Sequence, residues 1–133
     1  MKTMVLIAML ASCSLAEVHV LRFTNRPLAA LGAANPLPIV PPEHEVSGLH
    51  VTARDSAQES AALVIFLDSK GERHARLVAL TRTGAGEWLN GWLTGVDVGT
   101  VQRVYLFSIS TGEEPTITKY TCGAEFGRCA EAR

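Results

Sequence analysis

The stretch "AALVIFLDSKGERHARLVALTR", residues 61–82, decides the fold. From Leu63 to Leu67 it is apolar on both alternating faces and rich in β-branched and aromatic residues, the composition of a central strand. "DSKG" then supplies a short hairpin loop with glycine at its end. Beyond it Ala75, Leu77 and Ala79 share one face and His74, Arg76 and Val78 the other, a period of two that continues as a second strand. "TGAG", residues 83–86, breaks the chain again.

The same period extends outward from this hairpin. Upstream, "VSGLHVTAR" places Leu49, Val51 and Ala53 on one face and His50, Thr52 and Arg54 on the other. Downstream, "VQRVYLFSIS" carries Val101, Arg103, Tyr105, Phe107 and Ile109 on one side, "TGEEP" turns it, and "TITKYTC" runs as a last strand. Glycine-containing turns at intervals of roughly 8 to 14 residues predict an all-β domain, a small antiparallel β-sandwich or open barrel of about five to seven strands. A helical turn is expected only around 85–93, where Gly91 and Gly95 count against anything longer.

Five of the six prolines fall between Pro27 and Pro42, a stretch also rich in alanine. Proline removes backbone donors and disfavours helix in the residue before it, so this segment reads as an extended tether or strap. Its apolar Leu28, Leu31, Leu37, Ile39 and Val40 argue that part of it packs on the domain. Before it, "EVHVLRF" alternates weakly, with Val18 and Val20 in phase, as a short strand would.

The chain opens with Lys2, an apolar run from Met4 to Ala11, and the small residues Ala11 to Ser14, the three parts of a secretory signal. The run is far shorter than the ~20 residues a membrane-spanning helix needs. Two processing sites compete: cleavage after Ala16, or a lipobox reading of Leu10-Ala11-Ser12-Cys13 in which Cys13 is lipidated and becomes the first mature residue. The expected organisation is a signal peptide over 1–16, a strap over 17–45 and a β-domain over 46–133.

Without the signal the charge is nearly balanced and unclustered, which excludes a nucleic-acid partner, since phosphate binding requires a basic stripe. With Cys13 lipidated or discarded, Cys122 and Cys129 remain as an even pair in "CGAEFGRC", and in an oxidising compartment they are expected to bond and clasp the C-terminal tail. As a metal site the pair is half a ligand set. No nucleophile–base pairing, phosphate loop or zinc motif is present, so neither an enzyme nor a cofactor is expected. His19, His44, His50 and His74 are scattered, and Asp68 and Glu72 flank a turn, where carboxylates make local hydrogen bonds.

Function must then reside in apolar surfaces. Trp88 and Trp92, four apart, point the same way whether on a helix or a strand; with Leu89 and Leu93 they are either core or anchors for an apolar helix from a partner. Phe126, held between the two cysteines, is the other expected contact.

The lipobox-like start, the proline-bearing tether, "VSG" leading the first strand, the "ALVIFLD" strand and "TKYTC" running into a cysteine resemble the YscW-type pilotin lipoproteins of type III secretion, over Val46 to Cys129. The resemblance implies a small β-sandwich, monomeric when free, lipidated at Cys13 and anchored at the periplasmic face of the outer membrane. It would bind the C-terminal segment of a secretin subunit and escort it to assembly. Ser14 lacks the aspartate character of inner-membrane retention. The competing expectations are a soluble periplasmic enzyme inhibitor and a structural lipoprotein without a dedicated client.

Overall fold

The computed structural model describes residues 16–27, 45–57, 59–82, 87–123 and 126–132. Eight strands run through them: β1 (Glu17–Pro27), β2 (Glu45–Arg54), β3 (Glu59–Leu67), β4 (Arg73–Arg82), β5 (Trp88–Thr94), β6 (Thr100–Ile109), β7 (Thr116–Thr121) and β8 (Arg128–Glu131). They close into an antiparallel barrel in the order β1-β2-β5-β4-β3-β6-β7-β8. The all-β class is as expected; the ring has eight strands and is closed, against the expected sandwich or open barrel of about five to seven. Closure depends on β1 and β8, the two strands weakest in sequence pattern, which meet at Val18↔Cys129 and His19↔Arg128.

Residues 17–27, expected within the strap, are therefore barrel wall. The reason is local: Val18 and Val20 are fully buried, and β1 pairs with β2 from Glu17↔Arg54 to Pro27↔Glu45. The expected helical turn is also a strand. β5 pairs with β2 over its whole length, from Arg54↔Trp88 to Gly48↔Thr94. The signal with Cys13, the strap over 28–44 and the "TGAG" turn lie outside the described residues.

Inward positions are filled by side chains, as an eight-stranded barrel permits: Val18, Val20, Leu49, Val51, Ala53, Ala62, Val64, Phe66, Val78, Leu80, Leu89, Val101, Val104, Leu106 and Tyr120 form one cluster. On β4 the inward set is Val78 and Leu80, so the Ala75–Leu77–Ala79 face turns outward. On β6 a bulge interrupts the single side read from sequence. Ile65 pairs with Arg103 and Phe66 with Val101, so Gln102 is the extra residue and Val101 faces inward with Val104 and Leu106. Tyr105, Phe107 and Ile109 are thereby turned out.

Phe126 plugs one end of the barrel. It is 3% exposed, and the Arg22 guanidinium lies 4.7 Å from its ring centroid while donating to the Gly99 carbonyl. Its φ of 71° is the left-handed conformation that L-residues avoid, a cost of about 1–2 kcal/mol that burial of the ring offsets. Cys122 and Cys129 are disulfide-bonded around this turn. At the opposite end Ala57, in the loop after β2, is buried, and the Asp55 and Ala57 carbonyls accept from Arg82 at 3.2 and 2.9 Å.

Candidate functional site

A strand pair that is apolar on both faces buries only one of them in a barrel. The outer face of β4, β3, β6 and β7 collects the remainder in register. One row is Leu77, Leu63, Tyr105 and Lys119; the next is Ala79, Ala61, Phe107 and Ile117; a third is Ala75, Ile65, Arg103 and Thr121. Leu77 is 67% exposed and Ile117 59%; Ile109, at 37%, extends the face along β6. The alanines leave a shallow trough between the larger side chains. At strand spacings of about 4.8 Å and rows about 7 Å apart, the three rows cover on the order of 300 Å².

The cations on this face and at its end are Arg73, Arg103 and Lys119, of which Arg73 and Arg103 are exposed, while Glu59, directly opposite Ile109, puts an exposed carboxylate at the other end. None of the three cations enters a salt bridge among the described residues. An apolar trough with unpaired cations at one end and a carboxylate at the other selects a ligand that is apolar on one side and acidic where it meets the cations.

Trp88 and Trp92 stand on the opposite wall, outward on β5 and half-buried. Neighbouring strands clothe them. The His50 ring stacks on Trp92 with centroids 3.7 Å apart, Phe23 meets Trp92 edge-on at 5.8 Å, and His19 meets Trp88 edge-on at 5.6 Å. His50 Nε2 lies 2.9 Å from Asn90 Oδ1, and burial pushes its pKa below the ordinary histidine value. Glu17 Oε2 lies 2.7 Å from His19 Nε2, a hydrogen bond that holds the carboxyl below its usual range. Leu21, 45% exposed, contributes to a shallow groove of about 340 Å³ beside Trp88.

The other residues expected to touch a partner face inward. Leu89 is fully buried, Leu93 packs against the core, and Phe126 is the plug described above. None of the three offers a docking surface, because β5 alternates and the cysteine loop folds its ring under Arg22. Of the five, only the two tryptophans share an outer face.

His50 and His74 lie on β2 and β4, with β5 between them. His74 instead joins Asp68 and Glu72, whose ligand atoms lie within 4.8 Å of one another. Asp68 is committed to the hairpin: Oδ1 accepts from the Lys70 and Glu72 amides, both at 2.9 Å, and Oδ2 lies 2.8 Å from His74 Nε2. These bonds, the one to His74 foremost, lower its pKa. The group is explained as a turn lock.

Sequence reasoning missed Leu63, Leu77, Tyr105, Phe107 and Ile117 as a surface, although the doubly apolar pattern of residues 63–67 was its signal. No helix among the described residues is long and apolar enough to cross a membrane. Comparison with protein-family models, curated proteins and solved structures finds no match.

Proposed function

We propose that this chain is an exported escort of the pilotin type, tethered through Cys13, that holds an amphipathic helical segment from a secretin client, acidic where it meets Arg103 and Lys119, on the outer face of β4, β3, β6 and β7. One observation carries the reading: of the four large hydrophobic residues most exposed among those described, Leu77, Ile109 and Ile117 lie on this one face. Area favours a helix over a second copy of the chain. A face on the order of 300 Å² is well short of the ~800 Å² per partner of a standard interface, yet it matches the ~10 Å width of a single helix. The Arg103 and Lys119 charges then meet the acidic flank of that helix, and the continuous ladders round the barrel make side-chain docking the available mode.

Leu77→Asp and Ile117→Asp test this, since both side chains are exposed and neither change disturbs the core. Each is expected to weaken capture of a secretin C-terminal peptide roughly tenfold, the loss of about 1.5 kcal/mol of apolar contact. The Trp88→Ala, Trp92→Ala pair should leave affinity within a factor of about three. Wild-type binding by both aspartate variants would sink the assignment, and loss in the tryptophan pair alone would move the docking face to β1, β2 and β5.

A further inference from the structure

At the mouth of the barrel where β1 begins and β8 ends, a cavity of about 520 Å³ opens between Ala16, Glu17, Tyr120, Arg128 and Glu131. Its floor contains an anomaly. Tyr120 is 1% exposed, and its hydroxyl has no hydrogen-bond partner among the described residues. Buried hydroxyls in folded proteins nearly always have one, so the geometry lacks a donor or acceptor that something else supplies. Ser60 Oγ, on an inward position of β3 towards the same end, is a second buried oxygen without a partner.

The surroundings define the missing group. Glu131 stands directly opposite Tyr120 in the β7–β8 ladder, on the same face, and its carboxylate makes no hydrogen bond or ion pair among the described residues. Glu17 lines the cavity, its Oε1 3.9 Å from the largely exposed Arg128 guanidinium. Burial first, then the charges of Glu131, Asp55 and Glu17, push the Tyr120 phenol up to about 12, so it keeps its proton in ordinary conditions. An anion here would face carboxylates. A metal ion would find a protonated phenol and no converging donor set, since the three-donor group among the described residues is the one at Asp68.

We propose that this cavity is a binding site for a small ligand carrying a primary ammonium group, which donates to the Glu131 carboxylate and to Tyr120 Oη. The ammonium supplies up to three N–H donors, one for each unsatisfied acceptor it meets, and cancels the local negative charge. Ala16 and Ala130 offer an apolar wall for a short alkyl chain. A cavity of this size is within the range of small-molecule sites.

The test titrates the full chain with pentylammonium and follows the amide signals of Tyr120, Ala130 and Glu131, with trimethylpentylammonium and 1-pentanol as controls that lack, respectively, the N–H donors and the charge. Saturable shifts confined to this mouth are expected for pentylammonium, with both controls at least tenfold weaker. Tyr120→Phe and Glu131→Gln should each weaken binding roughly tenfold, the factor for one hydrogen bond to a charged group. Glu131 is exposed, so its variant folds even where the tyrosine variant does not. Absence of saturation in the millimolar range, equal binding of the trimethyl compound, or unchanged affinity in the glutamine variant overturns the proposal.

Discussion

At Gly91 the inner wall of β5 approaches β4 so closely that a β-carbon would lie 2.4 Å from the Ala79 carbonyl oxygen, 2.6 Å from Val78 Cγ1 and 2.8 Å from Leu80 Cδ2. The residue read as a helix breaker is a packing requirement. Gly91→Ala is expected to destabilise by about 1–3 kcal/mol through overpacking, seen as a lower urea midpoint. Gly123→Ala, where a β-carbon meets nothing within 4 Å, should stay within about 0.5 kcal/mol. Phe126 repeats the lesson from the other side: in a loop with two glycines available to bend, the left-handed φ falls on the phenylalanine. Its ring must reach the barrel end, and tertiary burial outweighs local preference.

The β3–β4 hairpin is the element most legible in the sequence, because its turn is written locally. Gly71 takes a φ of 86°, and the Asp68 amide and carbonyl close the turn with Glu72 and Gly71. Asp68 adds a pH dependence. Its folded-state pKa is lowered from 3.8, so its contribution is present above that value and is lost as pH falls through the lower folded value. Asp68→Asn should therefore be less stable than the native chain near pH 7, with the gap narrowing below about pH 3.8; urea unfolding at the two extremes measures it. The facing of β4 and β6 was not legible. On β4 both alternating sets contain apolar residues, and on β6 the bulge at Gln102 changes phase midway, which pairing with β3 reveals.

For the whole molecule, closure rests on a thin seam. β8 pairs with β1 at two positions and with β7 at two, against eight for β3 with β4. The Cys122–Cys129 bond holds β8 to the end of β7, and on the chain-entropy model a loop this short contributes about 2–3 kcal/mol. Reduction should thus open the barrel locally before it unfolds globally. Hydrogen exchange is expected to lose protection first at Val18, Val20 and Glu131, while Leu63 to Phe66 in the β3–β6 ladder remain protected. Simultaneous loss at all of these positions would show that the seam and the wall are one cooperative unit.

Period-two patterning and glycine-bearing turns, both local properties, determined from sequence alone that this chain is all-β and antiparallel, and the even cysteine pair pointed to the tail clasp. Only the tertiary structure decided that β1 belongs to the barrel, that the ring closes with eight strands, and which apolar face of β3 and β4 is spent on the core. The difference is one of reach. A turn or an alternation is stated by neighbouring residues, whereas closure joins Val18 to Cys129 across nearly the whole described chain. A sequence with two apolar faces does not say which one the fold leaves outside.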